Sequence, residues 1–333
     1  MPTNKISLKM ADSPHLHGDT TTREIMKWVL ITLLPIVLTA GYFFGWRIYL
    51  LFLIAIVTAQ LCEIIWFKFL KKDLTWDLSA IVTAVLMTMN LPPSAPWYFP
   101  VIGAVFAIIV VKEFFGGLGY NFLNPALGGR ALLVGLFFQD MFKISWPNPP
   151  FANFSPDVLT KATPLAQMKT ETLSPAQLWQ NFLGVTGGRI GETSSLLILV
   201  AGLVLWRKKI IQLHIPLIIL ITVAIGAWLF AGDGSLAPWQ TVTGHLFGGG
   251  LLLGAIFMAT DYASSPALKF GECLYAFGIG CLIIVFRFWG ATSEGVSYAI
   301  LTMNCATPLI DRLLRRRVLG EQTGMPFGLK LRR

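Results

Sequence analysis

The stretch WVLITLLPIVLTAGYFFGW, Trp28 to Trp46, runs for nineteen residues without an Asp, Glu, Lys or Arg. A second, IIQLHIPLIILITVAIGAWLFAG, runs for twenty-three from Ile210 to Gly232. As helices both are long enough to cross a hydrocarbon core of about 30 Å. The rest of the chain agrees with a bilayer. Its 333 residues would suggest two soluble domains by length, but 55% are hydrophobic and 13% charged, against an ordinary charged share of about 25%. The expected fold class is all-α, a polytopic membrane protein.

Apolar runs between Gly, Pro and charge breaks give ten spans, near Trp28–Phe44, Ile48–Phe69, Leu78–Leu91, Trp97–Phe115, Leu123–Phe138, Ser194–Trp206, Leu213–Phe230, Val242–Thr260, Gly271–Phe288 and Val296–Leu309. The third, fifth and sixth fall short of the roughly twenty residues of a simple span, which predicts tilted, extended or broken helices. The first twenty-odd residues are polar and lack the apolar stretch of a secretory signal, so the N-terminus is expected in the cytoplasm. With ten spans, only Arg47, Lys143, Lys161, Lys169, Arg189 and Arg287 fall outside, against twenty basic residues inside. That positive-inside bias makes both termini cytoplasmic. It also accounts for the net charge of +9 without nucleic acid, because no basic patch is long enough to track a phosphate backbone.

The segments that follow are a cytoplasmic N-terminal segment 1–26, a first membrane unit 27–138, a loop 139–191, a second membrane unit 192–311 and a basic cytoplasmic tail 312–333. The loop, rich in Pro, Asn, Thr and Ser, contains no span and must be extracytoplasmic; loops of this length usually carry function. The two units resemble each other. Ala84–Asn90 and Ala255–Asp261 match as A-x-x-M-x-x-[ND] at an offset of 171, each followed closely by Ser and Pro. Five spans per unit is an odd number, so the second unit must be inverted relative to the first, an architecture in which broken helices meet near the midplane.

Four cysteines, Cys62, Cys273, Cys281 and Cys305, lie inside apolar runs without the close pairing of a zinc or cluster site. They read as packing residues, although helices can bring distant cysteines together, and no metal is expected. Polar residues beside the spans carry more weight, because burying one unpaired is costly. In Gly116–Arg130, glycines permit close backbone approach, and Asn121 and Asn124 can hydrogen-bond a planar ring with amide and carbonyl edges. The plainer reading of that segment is a Gly-rich turn capped by Asn. In Gly187–Ser194, ahead of the sixth span, a helix N-terminus offers free amides near Glu192 and Thr193, which otherwise simply cap it. Asp261 is either a polar anchor or a ligand. Asp157-Val-Leu-Thr160-Lys-Ala162-Thr163, on physical grounds alone, is a turn before Pro164.

The chain resembles the flavin-bearing membrane subunits of ion-pumping redox complexes, the RnfD and NqrB family, and its modest length favours the RnfD branch. The likeness runs through nearly the whole chain and rests on Phe115–Arg130 (FGGLGYNFLNPALGGR), Gly191–Ser194 (GETS), Phe257–Asp261 (FMATD) with Ser265-Pro266, and Met303–Asp311 (MNCATPLID). In that family D-x-x-[ST]-G-A-T directs a flavin transferase to join flavin mononucleotide (FMN), through its phosphate, to the last Thr. The resemblance therefore makes Thr163 the attachment point, with Asp157, Thr160 and Ala162 as transferase recognition residues. Lys161 stands where the pattern has Gly, a departure that could slow modification or only alter the turn. The resemblance further implies that Asn121, Asn124, Arg130, Glu192, Thr193 and Asp261 contact flavin, and that a second, noncovalent flavin (riboflavin) is a candidate.

The function so implied is an electron relay within a sodium- or proton-translocating ferredoxin:NAD oxidoreductase of the bacterial inner membrane. The chain has no Rossmann fingerprint and no cluster-binding Cys motif. Nucleotide and iron–sulfur chemistry then belong to cytoplasmic partner subunits, beside an extracytoplasmic flavoprotein subunit. An NqrB-like role would end on quinone instead. The alternative is a channel or transporter for a small solute, since inverted repeats with broken helices are a transporter design. Few intramembrane charges in the sequence argue against ion transport by this subunit alone.

Overall fold

The computed structural model describes residues 21–71, 76–142, 182, 187–230, 238–290 and 295–314. Among them there is no β-strand, and each of the ten apolar runs is occupied by helix. Lipid offers no partner to a free backbone N–H or C=O, and helices satisfy both within the segment. Helix α1 (Thr22–Phe44) starts where Thr21 accepts a hydrogen bond from the Glu24 amide at 3.3 Å, and ends at Gly45 with φ +91°. Helix α2 (Arg47–Phe69) returns. These two and α11 (Lys269–Trp289) are individually long and apolar enough to span a bilayer. Their outward residues, such as Leu34, Leu53, Ile65 and Phe277, are large, apolar and exposed, as a lipid-facing surface requires.

The remaining helices are short or irregular. Helix α3 (Ser79–Met89) begins where Asp77 accepts from the Ser79 amide and hydroxyl at 2.9 and 2.6 Å, and stops at Asn90. Helix α4 (Tyr98–Val105) continues as a π-helical stretch, Phe106–Glu113, and a turn with positive φ at Gly116, Gly117 and Gly119 leads to α5 (Pro125–Leu136). A single turn, α6 (Phe138–Met141), follows. After a 3-10 turn at Ile190–Glu192 come two shorter apolar helices, α7 (Ser195–Arg207) and α8 (His214–Leu229).

The eighth run differs from expectation. It is not one straight helix: α9 (Pro238–Phe247) and α10 (Leu251–Leu253, continuing as π-helical Gly254–Met258) are bent by 59°. Gly249 and Gly250 sit at φ +67° and +65°, values that only glycine adopts without cost, so the Gly248–Gly250 triplet breaks the helix. Helix α12 (Val296–Leu313) closes the bundle. The first turn of α1 and Asp261 line one cavity, and Asp311 near the end of α12 accepts from the Ala267 amide at 3.1 Å. The start of α1 and the end of α12 therefore lie at one end of the bundle, here the inner end.

Two further expectations are corrected. Lys112, Arg130, Arg189 and Arg287 are buried rather than loop charges. Two of them leave each side of the topology count, and the bias stands at eighteen against four. All four cysteines are free, but only Cys62 is buried; Cys273 and Cys281 are half-buried and Cys305 is exposed on the apolar surface, so core packing describes Cys62 alone.

Helices α4 and α5 touch backbone to backbone. A Cβ on Gly129 would lie 2.6 Å from the Gly103 carbonyl oxygen, whereas one on Gly135, further along α5, would meet nothing within 4 Å. Gly129→Ala is expected to destabilise the chain by about 1–3 kcal/mol, because main chain cannot yield as a side chain does. Gly135→Ala is expected to be neutral or stabilising. Thermal unfolding in detergent would compare them, and equal midpoints would contradict the close contact.

Candidate functional site

The two halves of the internal match end on helices that meet. Asn90, at the end of α3, sits with its Nδ2 3.8 Å from Met258 Sδ, at the end of the α10 π stretch. From the other side, Asn124 Nδ2 donates to the Met258 carbonyl at 3.2 Å while Asn124 Oδ1 caps α5 by accepting from the Leu127 amide at 3.3 Å. Asn124 thus caps α5, and its amide nitrogen is engaged by a carbonyl of the neighbouring broken helix. This Asn90–Met258–Asn124 junction divides the candidate residues into two groups.

On the inner side is a cavity of about 100 Å³. Asn121, Asn124, Asp261, Ser79, Thr83 and Lys112 bring polar groups to a wall otherwise made by residues such as Val29, Leu86 and Ile256. Asn121 is within hydrogen-bonding reach of the Asp261 carboxyl and also donates to the Leu123 carbonyl at 3.1 Å. Asp261 further accepts from Ser264 Oγ at 3.0 Å, and Tyr262 Oη donates to the Ile210 carbonyl. Behind the cavity, Asn304 on α12 links fully buried Tyr275 to α5. Its amide nitrogen donates to Tyr275 Oη at 2.5 Å and its oxygen accepts from the Asn124 amide at 3.1 Å. Sequence reasoning missed this chain of contacts, although Asn304 lies within the quoted Met303–Asp311 segment.

On the outer side, two buried arginines converge on Asn90. Arg130 donates to Asn90 Oδ1 at 3.3 Å and to Ser297 Oγ, and Arg189 donates to the Asn90 carbonyl at 2.8 Å. Glu192 accepts from the Arg189 amide at 3.4 Å. Gly188 and Gly250 cradle its carboxylate so closely that a Cβ on either would lie within 3 Å of it. A small cavity of about 10 Å³, enough for one water, is lined by Arg130, Glu192, Gly249, Gly250 and Ser297. Thr193 joins neither cavity; its hydroxyl faces the Ile190 carbonyl of its own turn at 3.5 Å. Asp157, Thr160, Ala162 and Thr163 lie outside the described residues.

The buried charge is larger than the sequence reading allowed. Lys112 Nζ lies 2.5 Å from Glu63 Oε1, 2.7 Å from Ser79 Oγ and 3.5 Å from Glu113 Oε1, all buried inside the bundle. Arg287, 1% exposed, donates to the His245 and Gly248 carbonyls and so closes the broken end of α9. Glu272 pairs with His214 at 2.6 Å across the starts of α11 and α8. An acid in mid-span, as Glu63 is, was the available signal, since such residues are rare without a partner or a role. Buried charges are therefore not few among the described residues. Among the described residues no group of three or more His, Cys, Asp or Glu side chains could hold a metal.

The inner donor set suits the amide and carbonyl edge of a planar heterocycle. The enclosed volume is below the roughly 300 Å³ at which pockets for drug-sized molecules begin. The cavity is too small to enclose a drug-sized ring system whole.

Residues 9–320 match the model of the NQR2, RnfD, RnfE family. The D subunit of the Na(+)-translocating ferredoxin:NAD(+) oxidoreductase complex of Acetobacterium woodii is 44% identical over 95% of this chain and 96% of its own length. The D subunit of the ion-translocating oxidoreductase complex of Stutzerimonas stutzeri is 39% identical over 91% and 94%. The D subunit of the proton-translocating ferredoxin:NAD(+) oxidoreductase complex of Clostridium ljungdahlii is 36% identical over 94% and 96%. With the helical membrane architecture and near end-to-end matches, the chain belongs to the NQR2, RnfD, RnfE family.

Proposed function

We propose that this chain is the flavin-bearing membrane subunit of an ion-translocating ferredoxin:NAD oxidoreductase complex, and that it relays electrons between partner subunits. The observation that carries the reading is the 44% identity, over nearly both full lengths, to the D subunit of such a complex. The D-x-x-T-x-A-T segment at Asp157–Thr163 supports FMN on Thr163. A covalent link would hold the cofactor without a nucleotide-binding fold.

Bound flavin supplies one- and two-electron chemistry, and the protein's part is to hold, tune and shield it. Asn121 and Asn124 would position a second, noncovalent ring at the inner cavity, and Asp261 would accept from a ring N–H. Arg130 and Arg189 on the outer side would favour a ring carrying negative charge. The Asn90–Met258–Asn124 junction separates the two cavities. Such a junction lies across the line between the two cavities, which suits electron transfer better than passage of a solute and favours the relay over the channel.

In-gel fluorescence of the denatured chain, from cells that make the transferase, tests the covalent flavin. A fluorescent band is expected, and a dark one would overturn the reading. The inner end is proposed to face the cytoplasm. A cysteine placed at Ser155 should react with an impermeant thiol reagent in spheroplasts while one at Thr323 stays unlabelled, and the reverse pattern would invert the topology.

A further inference from the structure

Helices α1 and α7 pack against each other and run antiparallel, the start of one beside the end of the other, so that Ile25, Met26, Leu205 and Ile210 line the same inner cavity. Arg23 and Lys27 on α1, and Arg207, Lys208 and Lys209 at the end of α7, are all exposed there. Glu24 is the one acidic residue within 21–31 and 203–211, so five basic residues stand against one.

Both basic groups sit at the head of an exposed apolar stripe. On α1, Lys27 is followed at helical spacing by Ile31, Leu34 and Leu38, all exposed. On α7, Arg207 is preceded at the same spacing by Leu203, Val200 and Leu196, also exposed. From Lys27 to Leu38, and from Leu196 to Arg207, a helix rises about 16 Å, roughly half of a hydrocarbon core of about 30 Å and so the depth of one leaflet. The helices touch through Lys208, whose Nζ lies 4.1 Å from the centre of the Trp28 ring. Lys208 and Trp28 each stand one residue beyond the head of a stripe, and in an antiparallel pair this turns both stripes to the same side of the bundle. Exposed Trp206, next to Arg207, adds an indole at the level where tryptophans meet lipid headgroups.

Topology alone accounts for positive charge at the inner end. It does not account for a lysine laid on an indole at the head of two leaflet-deep apolar stripes. An acidic peptide would satisfy the charges and leave the stripes idle. An amphiphile with one anionic head and two apolar chains satisfies both.

We propose that the inner ends of α1 and α7 bind one anionic phospholipid of the bilayer, its phosphate held by Lys27, Arg207 and Lys208 and one acyl chain lying along each stripe. The cationic side chains donate charge-assisted hydrogen bonds to the phosphate oxygens, while their own apolar stems rest on the helix surface. Helix α1 comes from the first half of the chain and α7 from the second, so the lipid bridges the two halves beside the inner cavity.

The test is photolabelling of the purified whole complex, in mixed micelles, by phosphatidylglycerol or phosphatidylcholine with a photoreactive group on one acyl chain, followed by mapping of the labelled peptides. Phosphatidylglycerol should label 27–38 and 196–207 far more strongly than phosphatidylcholine does. Lys27→Gln should lower that preference about fivefold, the share of one basic residue near a headgroup. Lys27→Gln/Arg207→Gln/Lys208→Gln should remove it. Lys68→Gln/Lys269→Gln/Arg312→Gln takes the same charge from exposed positions on other helices and should keep it. Equal labelling by the two lipids, loss of the preference in that control variant, or no labelling of these segments because a partner subunit covers them would each overturn the proposal. Competition by soluble glycerol phosphate would overturn it too, by showing a phosphate site that needs no acyl chain.

Discussion

Replacing Thr163 by Val should abolish covalent flavin on this chain. Valine keeps the shape of threonine and removes the one oxygen that could form the phosphate ester, so the substitution separates chemistry from packing. Intact-mass measurement of the wild-type chain should show one added flavin mononucleotide phosphoryl group, and peptide mapping should place it between Asp157 and Lys169. Thr163→Val should show the unmodified mass while the protein still inserts and assembles, since valine keeps the size and shape of threonine. Electron transfer through the complex should nonetheless collapse, because the relay would lose a centre. Thr163→Ser keeps a hydroxyl and should retain partial modification. Lys161, where the family pattern has Gly, is the residue to change next if wild-type modification is incomplete; Lys161→Gly should then raise it. An unmodified wild-type chain from cells that make the transferase would sink the proposal.

Hydropathy made the ten apolar runs legible, because a lipid-facing helix must be apolar over its whole exposed length. It did not show the 59° break in the eighth run, since glycines at 248–250 leave the average hydropathy high while their positive φ angles change the chain direction. Charges near run ends were misassigned for a related reason. Lys112 lies shortly before the predicted end at Phe115, and a count by position puts it in the adjoining loop. Only the fold shows Glu63, forty-nine positions earlier, turned toward it. Asn121, Asn124 and Asp261 were named together through family resemblance, and the inverted motif already contained Asn90 as the partner of Asp261. What the sequence did not disclose was that Arg130 and Glu192 belong to the other side of the junction. That division depends on which ends of two broken helices meet.

The largest stability effect is expected at the Lys112–Glu63 pair, where the two single variants and the double should be strongly non-additive. The side chains are 3% and 5% exposed and 2.5 Å apart. Lys112→Met leaves buried Glu63 without its ammonium, and breaking a buried pair in this way costs about 3–5 kcal/mol. Glu63→Leu strands the ammonium instead, but Lys112 still has Ser79 Oγ at 2.7 Å and Glu113 Oε1 at 3.5 Å, so the loss should be the smaller of the two. The double variant Lys112→Met/Glu63→Leu removes both desolvation penalties and substitutes two apolar side chains, so its stability should return to near the wild-type value. Chemical or thermal unfolding in detergent would give the four corners of the cycle. Additive single effects would mean that the two groups are not coupled in one buried site.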